Sequence, residues 1–234
     1  MKRMIWLVTL AVLMIPLIYS GGCGKAESGS PAPEGISIPL PEPALESDTS
    51  IEEALLQRRS VSEYAAGALT LQQVGQLLWA AQGINGPGGK RTAPSAGAIY
   101  PLEIYVVAGN LEGVTPGVYK YKPDSHVLVK IVDGDRRESL VSACNGQKKV
   151  GRGAIDIVIT GVYEKTKQRY GNRSTRYVQL EAGHAAQNIC LQAVSLKLGT
   201  ITVGDFDDSA VRQILNASKD ETPLYVMPIG RIGI

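Results

Sequence analysis

Side chains able to do chemistry are few in this chain, and they cluster. Residues 55–64, LLQRRSVSEY, set Arg58, Arg59 and Ser60 side by side at the end of a helix-like run. Two planar guanidinium groups and a hydroxyl can neutralise and orient a doubly charged oxyanion through paired, charge-assisted hydrogen bonds. Alone, the same pair is a solvated basic end that complements a helix dipole. Residues 83–92, GINGPGGKRT, are glycine-rich and carry a lysine, but Arg91 stands where a phosphate loop needs Ser or Thr. They read as a flexible glycine loop. Residues 91–109, RTAPSAGAIYPLEIYVVAG, run from small residues directly into an apolar strand. From Pro94 to Ala98 no bulky side chain holds the backbone away from a flat ligand, and Tyr100 with Pro101 stiffens the entry to the strand. By itself this is a tight turn before a strand.

Other chemistries lack their residues. His126 and His184 are the only histidines, and neither has a second ligand at metal-binding spacing. His184 reads as a hydrogen-bonded helix histidine. DFDD at 205–208 lacks calcium-loop spacing and reads as a helix N-cap. Ser60, Ser62 and Ser95 have no Gly-x-Ser-x-Gly context, which disfavours a hydrolase. With 24 Lys and Arg against 22 Asp and Glu, the net charge of +2 offers no general field for nucleic acid or an anionic membrane. Cys144 and Cys190 define no disulfide framework, and Cys190 lies in an apolar helical pattern that suits a buried thiol.

The elements that must position these groups follow from pattern. Residues 1–22 carry Lys2 and Arg3, then an apolar run to Ile18 that is too short to span a bilayer, the layout of an export signal. Cys23, after Gly21 and Gly22, resembles a lipoprotein attachment site, although Ser20 departs from that pattern. This implies an exported chain held on a membrane by an N-terminal lipid anchor, or a secreted one. Residues 23–49 are rich in Pro, Gly and Ser and read as a tether, so the folded domain is expected at 50–234. Ser50 with Glu53 and Thr70 with Gln73 form capping boxes that open two helices, the second stopping at Gly83. Strands are expected at 102–108, 117–121, 126–132, 154–162 and 224–229, and helices at 135–144, 176–198 and 207–216. Helices and strands mix without strict alternation, so the fold class is α+β. Residues 177–199 are apolar or small on nearly every face, which predicts a helix buried all round, with a partner subunit as one of its neighbours.

Taken in order, Arg58-Arg59-Ser60, APSAGAIYPLE, EAGHAAQNICLQAVSLKLG, ITVGDFDD and the closing PIGR resemble the nitroreductase superfamily of flavin enzymes, and the second and third segments resemble its SagB-type dehydrogenase branch. The resemblance runs from Glu52 to Arg231. It implies an antiparallel central sheet flanked by helices, a homodimer, and FMN held between the subunits, with NAD(P)H as a possible electron donor. It also implies site roles. Arg58, Arg59, Ser60 and Arg231 lie at the flavin phosphate and ribityl chain. Pro94, Ser95 and Ala96 approach the ring from the other subunit, and Val203, Gly204 and Asp205 border its N5 edge. Ser62 replaces a positive residue frequent in the family, and Ala98 replaces a frequent Asn. The implied activity is hydride transfer to or from a small organic molecule or a peptide azoline. Tyr170, Arg176 and Tyr177, in RYGNRSTRY beside Arg173, are the substrate-side candidates. The alternative is an exported flavin-binding lipoprotein without turnover.

Overall fold

The computed structural model describes residues 36–233. The export signal expected at 1–22 and the lipid attachment at Cys23 lie outside the described residues.

The fold is built on a seven-stranded, wholly antiparallel sheet. Its middle strands are β4 (Leu102–Ala108) and β7 (Ile155–Gly161), which pair along their whole length. Both are apolar at nearly every position because both of their faces are covered. Outward on one side lie β5 (Gly117–Lys122), β6 (Val127–Asp133) and the edge strand β1 (Ser37–Pro39). On the other side lie β9 (Thr222–Arg231) and the edge strand β8 (Leu198–Thr200).

Period-two alternation divides the core into two layers. Ile104, Val106, Ile155, Ile157 and Ile159 face α2 (Leu71–Gln82) and α5 (Ser174–Ser195). Tyr105, Val107 and Val158 face α3 (Arg137–Ala143) and α6 (Asp208–Ile214). Helix α5 meets the first layer through Val178, Ala182, Ala185, Ile189 and Ala193, one stripe at helical spacing whose small residues allow close approach. A short α1 (Ile51–Gln57) and α4 (Tyr163–Tyr170) complete the helices.

Three sequence expectations are corrected or sharpened. The domain begins before residue 50: β1 pairs with β6, Leu40 N donates to His126 O, His126 Nε2 donates to Pro41 O, and Gln76 bonds both Ala44 N and Ala44 O. Proline-rich composition hid this strap, because an edge strand needs ladder bonds on one side only and tolerates Pro39. Second, one chain alone does not bury α5 all round: Leu180, His184 and Gln187 form an exposed stripe, the face left for the partner subunit expected as its other neighbour. The small residues of α5 are apolar enough for a core, but one chain has elements for only part of the circumference. His184 accordingly makes no hydrogen bond among the described residues. Third, only the Thr70 cap is a full box. Ser50 Oγ accepts from Glu53 N, but the Glu53 carboxylate accepts from Gln57 instead.

Candidate active site

The residues singled out from the sequence gather at two places on the fold, near opposite ends of α5. The first is the β8 edge. Arg58 N donates to Ala54 O and closes α1, and the Arg59 guanidinium folds back onto Leu56 O and Arg58 O, so Arg59 serves the helix end. Val61 N then donates to Thr200 O, which lays Arg58, Arg59 and the exposed Ser60 beside β8. Arg231 pairs with Leu198 across the β9–β8 ladder, and its Nε and Nη2 both donate to Ala68 O. Its stem crosses Gly67, whose φ of +144° suits glycine and where an added Cβ would meet Arg231 Cδ at 2.7 Å.

The Arg58 side chain is half-buried and has no hydrogen bond or ion pair among the described residues. It stands close enough to Cys190 to oppose the burial that raises that thiol's pKa. Nearby, Thr200 Oγ1 is buried without a partner. Farther along the same edge, Val203 and Val226 exchange two backbone hydrogen bonds of 2.9 Å. Asp205 is held through its carboxylate by Asn145 Nδ2 and through its carbonyl by Gln147 Nε2. The Gly204 backbone is open, since an added Cβ would find only Tyr225 Cε1, at 4.0 Å. From Val226 to Arg231 the strand advances about 17 Å. Unpartnered guanidinium and hydroxyl donors at one end and bare backbone at the other fit FMN, whose phosphate needs the first and whose ring edge needs the second.

The second place is the loop 94–98. Ala96–Ala98 make one tight turn, with Gly97 at φ +64° and Ala98 and Tyr100 at +54° and +53°. Glycine suits this φ, and a Cβ here would press on the tips of Tyr170 and Arg169, 2.7 Å from Oη and 2.8 Å from Nη1. Arg169 Nη1 donates to Gly97 O. Tyr170 packs edge-on against Tyr177, with ring centres 4.9 Å apart. Two of the substrate-side candidates thus meet each other and the loop, while Arg176 points to solvent without an ion pair among the described residues. Behind the loop lies Glu181, on α5 and only 2% exposed. Gln82 Nε2 donates to Glu181 Oε1, Arg91 Nη1 donates to Gln82 Oε1, and the Ser95 hydroxyl stands beside the carboxyl. Burial pushes the Glu181 pKa up to about 7, against the lowering effect of Ser95, Gln82 and Arg91. Sequence reasoning passed over Glu181, although a carboxylate inside an otherwise apolar stripe is itself a signal of a buried acid.

In one chain the two places do not meet. Glu181 marks the loop end of α5 and Cys190 the Arg58 end, about 14 Å apart along the axis. A trough of about 630 Å³ between residues 44–51, α2 and the C-terminal half of α5 is lined by none of the predicted flavin residues. Volume alone therefore does not locate the chemistry. Among the described residues no cluster of His, Cys, Asp and Glu could hold a metal ion.

Known proteins resemble this chain in sequence and fold. A Methanocaldococcus jannaschii protein described as a nitroreductase is 45% identical over 184 residues, covering 79% of this chain and 92% of that one. The microcin B17-processing protein McbC of Escherichia coli is 28% identical over 171 residues, 70% of this chain and 63% of McbC. A crystal structure of a nitroreductase-like protein from Ralstonia eutropha superposes with a TM-score of 0.75 at 29% identity, covering 87% of this chain and 92% of that one. Residues 55–231 match the sequence profile of the nitroreductase family. The chain belongs to the nitroreductase family of oxidoreductases, in the SagB-type dehydrogenase branch to which its relative McbC also belongs.

Proposed function

We propose that this protein is an FMN-dependent oxidoreductase whose two identical sites are each completed by a second copy of the chain. The observation that carries this reading is the separation of the two residue sets along α5, with an exposed stripe of the same helix between them. Antiparallel pairing of two copies through that stripe would set the loop end of one against the arginine end of the other. Arg58 and Ser60 would hold the phosphate, with the unused Nη1 of Arg231 as a further donor. The turn Val203–Asp205 would border the ring, and Pro94, Ser95 and Ala96 of the second copy would cover it. FMN, when bound, supplies two-electron hydride chemistry. The chain's own work is to grip the charged tail, exclude water from one face and orient a substrate.

Tyr170 and Tyr177, stacked beside the loop, are the groups that would orient that substrate. Resemblance to McbC supports a peptide azoline, and the wider family supports a quinone or nitroaromatic acceptor with NAD(P)H as donor. Membrane attachment at Cys23 belongs to the same proposal and is tested by labelling expressing cells with a radioactive fatty acid, comparing wild type with Cys23→Ala. A flavin-binding lipoprotein without turnover is favoured by one feature, the neutral Ser62 in place of a positive residue.

The deciding experiment uses the full chain reconstituted with FMN. A yellow dimer holding one FMN per chain that oxidises NADPH with a quinone, or converts a synthetic thiazoline peptide to the thiazole, supports the enzyme. A yellow dimer inert to all of these supports the binder. A monomer that takes up no FMN overturns both.

A further inference from the structure

The turn that would border the ring, residues 203–207, is clamped from two sides. On the β9 side, Val203 and Val226 exchange backbone hydrogen bonds of 2.9 Å. On the α3 side, three bonds meet the same turn. Asp207 N donates to Ala143 O at 2.9 Å, Asn145 Nδ2 donates to Asp205 Oδ1 at 3.2 Å, and Gln147 Nε2 donates to Asp205 O at 2.8 Å. Gln147 reaches out from a firm base. Its own N donates to Cys144 O and its own carbonyl accepts from Val150 N, and the flanking Cys144 and Val150 are fully buried. Asn145 and Gly146, at φ +56° and +72°, turn the chain out of α3, and Gly146 N donates back to Val141 O. Between the clamps, Gly204 N and Asp205 N are exposed and have no acceptor among the described residues. Donors left without partners, on a segment whose neighbours are fixed, form a preorganised binding edge.

We propose that Gln147 is a positioning residue: by gripping the Asp205 carbonyl it fixes the orientation in which the Gly204 and Asp205 amides are offered to the flavin ring. It touches neither cofactor nor substrate in this role. The Val203–Val226 pair sets where the turn begins, and the Asp207–Ala143 bond sets where it ends. Phe206 is anchored by packing against the α3 and α6 layer. That leaves the peptides of Gly204 and Asp205, and glycine resists rotation least. Among the described residues, Gln147 alone bonds a backbone atom of this interval, whereas Asn145 holds a side-chain oxygen and leaves the peptide free to turn about the Asp205 side-chain bonds. A neutral hydrogen bond at the surface adds little to global stability, so its loss is felt at the turn and not across the fold.

This inference rests on the FMN reading for its target but not for its first measurement, hydrogen exchange at the Asp207 and Val226 amides of the flavin-free full chain. Gln147→Met keeps the length of the side chain and removes the donor. Gln147→Glu, ionised at about pH 7.5, also sets a charge against the Asp205 carbonyl and carboxylate. The Asp207 amide is expected to exchange about fivefold faster in Gln147→Met and about tenfold faster in Gln147→Glu. The Val226 amide should not change, which separates local loosening from a loss of global stability. FMN affinity, read by fluorescence quenching, should fall in the same order, and riboflavin, which lacks the phosphate, should lose affinity by the same factor. The visible absorption of the bound flavin should move toward that of free FMN, a change that a merely structural role would not produce. If one variant fails to fold, the other decides. Equal Asp207 exchange in wild type and both variants would overturn the proposal, as would faster exchange with flavin affinity and spectrum unchanged. Wild type that binds neither FMN nor riboflavin would instead overturn the flavin reading, and the exchange data would still judge the grip of Gln147 on the turn.

Discussion

The two ends of α5 are built on opposite plans. At the loop end, polar side chains from α2, α5, β3 (Lys90–Arg91) and residues 95–100 bond one another, and the acid among them is buried. At the β8 edge, Arg58 is unpartnered among the described residues, Thr200 Oγ1 is orphaned, and the backbone at Gly204 is bare. A saturated network gains nothing from a ligand and serves to hold shape, whereas unsatisfied donors gain a partner when an anion arrives. The difference teaches which end binds and which end aims.

That contrast can be broken from either side. Arg58→Ala should weaken FMN binding by about 1.5–3 kcal/mol, from loss of a charge-assisted contact, and leave the melting temperature nearly unchanged. Equilibrium dialysis with FMN checks the first part and calorimetry the second. At the loop end the pattern should invert. Gln82→Leu removes the donor to Glu181 and the acceptor of Arg91, and should cost roughly 1–3 kcal/mol of folding stability in a urea titration, with a smaller effect on phosphate affinity. Equal responses from both substitutions would erase the distinction.

A control lies on the other sheet face. Asp156 on β7 is fully buried, accepts from Gly151 N through Oδ1 and leaves Oδ2 unpartnered. Burial pushes its pKa up to about 7. The folded state therefore keeps a proton that the unfolded chain releases near pH 4, so stability present at low pH is lost as pH rises through 7. Asp156→Asn should gain roughly 1–2 kcal/mol relative to wild type between pH 5 and 8, without altering FMN affinity. Chemical denaturation at several pH values tests this, and a parallel pH response in both proteins would show that Asp156 is ionised throughout. The smallest effect is expected at Ser50, the N-cap of the short helix that delivers Arg58. Ser50→Ala should cost about 1 kcal/mol or less of stability and weaken FMN slightly through fraying of α1, visible in the same dialysis.

Much of the fold is legible in the sequence. Runs rich in Val, Ile and Tyr at 102–108 and 154–162 mark the central strands, the Thr70–Gln73 box opens α2 where expected, and Asp207 caps α6 by accepting from Ala210 N. Other elements are not. The strap from Ile36 to Thr49 is a linker by composition and becomes part of the sheet through β6 and His126. Helix α4 is too polar to show an apolar stripe, and β8 is only three residues long. In the candidate site, Arg58 and the small loop were visible as residue types in suggestive order; the place of Glu181 in an apolar helical stripe signals a buried acid, but its partner Gln82 comes from a distant part of the chain.

What the sequence determined by itself is therefore whatever neighbours in the chain decide: strand and helix patterns, caps, small residues where backbone must come close, and the ordered segments shared with the family. Tertiary structure alone decided which face of α5 stays exposed, that Arg59 closes a helix while Arg58 remains open, and that burial pushes the Glu181 pKa up to about 7. The reason is one of distance along the chain. Gln82 and Glu181 stand 99 residues apart and Val61 reaches the backbone of Thr200, so burial and pairing at these points exist only after the sheet has brought them together.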